Sequence, residues 1–143
     1  MRILVDADAC PVRRVIEKVA KEYNLPVILF VDTSHPMDCR DAEVVTVDRQ
    51  RNSVDFALVN RVAPGDIVVT QDYGLAAMVL ARGARVLNQD GLEFTAANIE
   101  SMLFERHMGQ EIRRVGGRTR GPSKRVKEQD IKFERSLRQM LNR

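Results

Sequence analysis

Two apolar runs in this chain end on carboxylates: Ile3-Leu4-Val5 leads into Asp6-Ala7-Asp8, and Ile67-Val68-Val69 leads into Thr70-Gln71-Asp72. A strand that carries an acid at its carboxyl end places it at the edge where open α/β sheets bind ligands. Two neighbouring strands of this kind build an acidic pocket. Clustered carboxylates repel one another, and a divalent cation with hard oxygen ligands relieves that repulsion. Asp6 and Asp8 are two residues apart, so in a continuing strand both side chains point the same way. The competing reading makes Asp8 a cap for the helix near Pro11 and Asp6 a solvated strand end. Asp72 has its own alternative, as N-cap of a helix starting at Tyr73. Asp55 lies in the first turn of a helix, where the dipole favours an acid. It shares a face with Leu58, Val59 and Val62, the face expected to meet the sheet, so it needs a partner there. A cation shared with Asp6 and Asp72 would supply one.

Other polar residues carry less. Cys10, His35 and Cys39 match no zinc spacing, and the two thiols are expected to act as small buried hydrophobes. His107 falls inside a long helix, and Asp38, Asp41 and Asp48 have no periodicity, as expected of solvated acids. Arg113-Arg114 and Arg118-Thr119-Arg120 flank Gly116-Gly117. Arginine forks and the NH groups of a glycine turn suit phosphate oxygens; the alternative is a solvated linker. No aromatics are interleaved, so base stacking is not indicated.

The elements that must position these residues alternate. The apolar spacing predicts strands at 2–5, 27–31, 44–47, 67–69 and 84–87. Helices are predicted from Pro11 to about Tyr23, from Asn52 or Ser53 to Val62, over 73–82, from Thr95 to about Val115, and from about Lys127 onward with Phe133, Leu137 and Leu141 on one stripe. The polar stretch 32–42 is expected to be a loop. Strands alternating with helices of this length imply βαβ units and a mostly parallel sheet. The last two helices have no strand after them and should pack on a sheet face or reach toward a partner.

The 143 residues suit one ordinary domain, 44% hydrophobic and 30% charged, which excludes wholesale disorder. Aromatics make up 5% with no Trp, so the core is expected to be aliphatic. No run has the length of a membrane span, and the start shows no signal-peptide pattern. Two cysteines make no disulfide framework, so a cytoplasmic location is expected. Charge is uneven. Residues 105–143 hold twelve Lys/Arg against five acids, a surplus of +7 in a chain of +3, so the first 104 residues carry −4. An acidic body with a basic arm points to a polyanionic partner.

With these residues in view, the chain resembles the YaiI/YqxD family of small uncharacterised bacterial proteins over nearly its whole length. The resemblance rests on the segments 5–11, 65–76, 83–88 and 116–119. That family in turn is similar to the PIN-like nucleases, which carry an Asp after strand one, an acid on a central helix and an Asp in a Thr-x-Asp motif after strand four. Asp6, Asp55 and Asp72 match in order, with Thr70-Gln71-Asp72 as the motif. A further ligand shortly after that motif is usual there; here Tyr73 and Gly74 follow, and Asp8 is the candidate substitute.

The resemblance implies an α/β, three-layer PIN-like domain with a mostly parallel central sheet flanked by helices, spanning 1–115. Residues 116–143 form a basic linker and C-terminal helix of the same domain. It further implies a nuclease-type site dependent on Mg²⁺ or Mn²⁺, hydrolysing phosphodiesters, in RNA ahead of DNA. Asp6 and Asp72 would bind the metal directly, and Asp55 and Asp8 would complete its shell or orient water. Thr70 would contact the metal's water or a phosphate. Arg113, Arg114, Arg118, Arg120, Lys124 and Arg125 would hold the nucleic-acid backbone. Two rivals remain. One is a haloacid-dehalogenase-like phosphatase using Asp6 and Asp8, with Asp66 and Asp72 as its later acids. The other is a non-catalytic nucleic-acid-binding module.

Overall fold

Branched aliphatic runs gather into a single six-stranded sheet in the computed structural model, which describes residues 1–8, 10–32, 39, 41–48, 53–114, 116 and 124–143, without the side chains of Arg106, Arg113 and Arg114. In chain order the elements are β1 (Ile3–Asp6), α1 (Arg13–Glu22), β2 (Val27–Asp32), β3 (Glu43–Val47), α2 (Val54–Arg61), β4 (Ile67–Val69), α3 (Tyr73–Ala81), β5 (Arg85–Leu87), β6 (Glu93–Phe94), α4 (Ile99–Arg114) and α5 (Lys127–Leu141). The strand order is β3-β2-β1-β4-β5-β6, parallel from β3 through β5, with β6 antiparallel to β5.

Period-two alternation divides the core into two halves. Ile3 and Val5 of β1, Leu29 of β2 and Val69 of β4 face Ile16 and Val19 of α1 and Phe133 and Leu137 of α5. Leu4, Ile28, Phe30 and Val68 face Leu58 of α2, Leu75 and Val79 of α3, and Ile99 of α4. The register aligns Leu4 with Ile28 on one side and Val68 on the other. This is the three-layer arrangement the alternating pattern predicts, a mostly parallel sheet flanked by helices. Asp6 follows Leu4 by two, so its side chain belongs to the α2/α3 side. Each fully buried side chain of this kind contributes about 1.5–3 kcal/mol, which fixes the strand ends that carry the acids.

The differences from the sequence expectation lie at element ends. α1 begins at Arg13, not Pro11, because Pro11 and Val12 form a turn first; it ends at Glu22 with Tyr23 as its C-cap, and Asn24 turns the chain with φ of 54°. Ser53 caps α2 by accepting from Phe56 N at 3.2 Å, while Asn52 lies outside the described residues, as does most of the expected 32–42 loop, His35 included. α4 begins at Ile99, later than Thr95, because 95–98 is a separate turn in which Asn98 Oδ1 accepts from Thr95 N at 2.8 Å. The short strand β6 is unanticipated, since two residues show no period. Among the described residues no helix is long and apolar enough to cross a membrane.

Candidate functional site

The chain leaves β1 to one side of the sheet, through β2 and β3, and returns to place β4 on the other side of β1. The direction of strand progression therefore reverses between β1 and β4. Such a reversal opens a crevice beyond the carboxyl ends of the two strands. Asp6 is the last residue of β1, and Thr70 and Asp72 follow β4 directly.

Hydrogen bonds tie these residues together. Thr70 is buried, and its Oγ1 donates to Asp6 Oδ2 at 3.0 Å while accepting from Asp72 N at 3.0 Å. The hydroxyl therefore couples the two strand ends, a positioning role. Its proton is directed at Asp6. Asp72 Oδ1 accepts from Leu75 N at 3.1 Å, so the N-cap reading of this residue is realised at the head of α3. Asp8 does not cap α1, whose start carries no side-chain cap; its Oδ2 accepts from Asp32 N at 3.3 Å at the end of β2.

Asp6 also records where the other acids lie. Its carboxyl is raised to about 6, first by burial and then by the charges of Asp55, Asp8 and Asp72, with the Thr70 hydrogen bond opposing. All three acids thus act on Asp6 through space. Asp55 reaches it from the first turn of α2, immediately after the Ser53 cap. Asp6, Asp8, Cys10, Val69, Thr70, Gln71 and Gln89 line a cavity of about 40 Å³. A water needs about 10–15 Å³, so the cavity has room for about three. Among the described residues no three His, Cys, Asp or Glu form a ready cage for an ion. Mg²⁺ commonly needs only one or two carboxylates, keeping waters in its other positions, so the oxygen-rich donor set here fits that ion class.

Cys10 packs against the core, as expected of a small hydrophobe, and also borders the cavity. It is half-buried at the cavity wall, and burial above all pushes its thiol up. Cys39 donates from Sγ to Glu17 Oε1 at 3.0 Å. Gln71 and Gln89 escaped the sequence reading, although the rule that singled out Asp6 applies to them: one follows β4, the other β5. Asp41 and Asp48 are exposed, as expected of solvated acids. Asp66 sits at the opposite end of β4, where its Oδ2 pairs with Arg2 at 2.8 Å and accepts from Ala63 N at 2.9 Å. It cannot share a site with Asp6 and Asp8, which removes the acid that the dehalogenase-like arrangement needs.

The basic residues divide. Lys124 is exposed. Arg125 is tied into the fold by Asp90, Asp130 and the Gln89 carbonyl. The side chains of Arg113 and Arg114, and residues Arg118 and Arg120 entirely, lie outside the described residues.

A family profile described as "Uncharacterized BCR, YaiI/YqxD family" matches residues 4–143. The chain is 59% identical over 137 residues to a "UPF0178 protein" of Ruminiclostridium cellulolyticum, covering 96% of this chain and 90% of the relative. It is 49% identical over 141 residues to a "UPF0178 protein" of Exiguobacterium sibiricum, covering 99% and 96%. A third, from Clostridium tetani, is 48% identical over 137 residues, covering 96% and 94%. No solved structure matches the chain.

Proposed function

The chain belongs to the YaiI/YqxD family, and from that premise and the acidic cleft we propose that the protein is a nuclease-type phosphodiester hydrolase dependent on Mg²⁺ or Mn²⁺, acting on RNA ahead of DNA. One observation carries the reading: Asp6 ends β1 at the reversal of the sheet, half-buried and within the field of Asp55, Asp8 and Asp72. A half-buried Asp6 on which the charges of three other acids act favours a cation beside it. The order of Asp6, Asp55 and Asp72 and the Thr70-Gln71-Asp72 motif link this arrangement to the PIN-like nucleases, and the basic C-terminal arm suits a polyanion. Cytoplasmic location belongs to the same proposal, since Cys10 and Cys39 are both free thiols.

In this reading Asp6 and Asp72 hold the cation, with Asp55 and Asp8 beside them. A bound divalent cation supplies charge neutralisation at the scissile phosphate and acidifies a water. The protein's own part is preorganisation. Thr70 fixes Asp6 Oδ2 and the Asp72 backbone in one hydrogen-bonded unit, and Asp8 anchors the end of β2. Gln71 and Gln89 offer neutral polar groups at the cavity wall, where they can orient water without adding negative charge.

Titration calorimetry with Mn²⁺ on the wild type, Asp6→Asn and Asp72→Asn, beside cleavage of labelled RNA, tests the proposal. The wild type is expected to bind and cleave, and each variant to lose both. Binding of equal strength in all three proteins would reduce these acids to caps and strand ends.

A further inference from the structure

We propose that Arg125 is a positioning residue for the acidic cleft, acting through the turn at 88–92 that forms one of its walls. Gln89 belongs to this turn and lines the cavity with Asp6, Asp8 and Cys10. From inside, Asn88 Oδ1 accepts from Asp90 N and Leu92 N, both at 2.9 Å. These bonds shape the turn but do not attach it to the rest of the protein. Attachment comes from the segment at the head of α5. Arg125 donates from Nη2 to the Gln89 carbonyl at 2.8 Å, from Nη1 to Asp90 Oδ1 at 2.9 Å, and from Nε to Asp130 Oδ1 at 2.8 Å. One planar guanidinium thus bridges the turn and the helix. Gln129 Nε2 adds a bond to the same Asp90 oxygen at 3.2 Å.

The contact is close as well as polar. Gly91 has φ of +88°, and a Cβ built there would lie 2.9 Å from the Lys132 carbonyl oxygen. The turn therefore lies directly on the α5 backbone, and Arg125 locks it there. Gln89 lines the cavity beside Cys10, which places the latch near the cleft it braces. A lysine cannot reproduce the effect, because a single ammonium does not present three donors in one rigid fork. The consequence for cation or substrate binding rests on the reading of the cleft given above; the latch itself does not.

The test uses the full chain and three variants: Arg125→Ala, Arg125→Lys and Arg138→Ala. Arg138 pairs with Glu22 and Glu134 on the outer side of the same helix, so it reports general loss of α5 stability. Two quantities are read: the rate of Cys10 alkylation by iodoacetamide, followed by peptide mass, and Mn²⁺ affinity by calorimetry. Both Arg125 variants are expected to raise the Cys10 rate several-fold and to weaken Mn²⁺ binding about tenfold, the scale for losing a supporting partner of a metal site. Arg138→Ala should leave both unchanged even if it lowers the melting temperature. An unchanged Cys10 rate in Arg125→Ala, or an equal rise in Arg138→Ala, would overturn the proposal. A raised rate in a protein whose wild type binds no Mn²⁺ would uphold the latch and overturn the cation reading instead.

Discussion

At the scale of single residues, Asp6 combines geometry and energetics most clearly. Its carboxyl is raised to about 6 from 3.8, chiefly by burial. A group raised in the folded state adds stability that is complete below the unfolded value and lost as pH rises through the folded one. Asp6→Asn keeps an acceptor for Thr70 and never ionises. It should therefore match the wild type below about pH 4 and exceed it at pH 8 by on the order of 1–3 kcal/mol. Thermal melts across that range in a metal-free buffer check this; a gap independent of pH would contradict it. Thr70→Val removes the donor to Asp6 and the acceptor for Asp72 N. The expected cost is about 1–3 kcal/mol, and the Asp6 carboxyl should titrate still higher, because the Thr70 bond holds it down. Carbon-13 NMR titration would show this, and a downward shift would refute it. Asp6, Asp8, Thr70 and Asp72 were legible from the sequence because a strand end is a local signal. The double duty of Thr70 was not, since it needs β1 and β4 to be neighbours.

At the scale of elements, local pattern located the five long helices and the five parallel strands but not their caps or β6. Two residues of β6 hold their place by pairing Leu87 with Glu93 and Val86 with Phe94, a long-range condition with no periodic trace. The grip of α5 on the turn at 88–92 is similarly tertiary: Gly91, Arg125 and Gln129 look unremarkable in sequence. Gly91→Ala tests that grip. Its positive φ is strained for alanine, and the added Cβ would meet backbone of α5, Lys132 O at 2.9 Å. Destabilisation of about 1–3 kcal/mol is expected, seen as a lower denaturant midpoint. A neutral substitution would show that α5 sits more loosely than these distances state. α4 is a different case, for Phe104, Met108 and Ile112 are exposed along one side of it. The residues whose apolar spacing announced this helix, Ile99, Met102 and Leu103, do pack against the core.

For the whole molecule, the strand order decides where chemistry can occur. By returning to the far side of β1, the chain places the ends of β1 and β4 at the sheet's reversal and brings α2 and α3 over them. Asp6 and Asp8 line the cavity there and the charges of Asp55 and Asp72 act on Asp6, while Asp66 at the other edge stabilises the fold through Arg2. Charge is divided the same way, with an acidic body and a basic arm of +7 over 105–143. If that arm tracks a phosphate backbone, affinity for short single strands should fall with salt at about −0.7 per contact, a log–log slope of roughly −3 for four or five contacts. Arg118→Ala with Arg120→Ala should reduce that slope by about one to one and a half. Fluorescence anisotropy over a salt series measures it, and a flat dependence would leave the arm as a solvated linker. The central claim is that the cleft receives a divalent cation. The most direct measurement is anomalous scattering from crystals of the protein grown with Mn²⁺. The account predicts a peak within about 2.0–2.6 Å of carboxylate oxygens of Asp6 and Asp72; ordered side chains at full Mn²⁺ with no peak between them would contradict it.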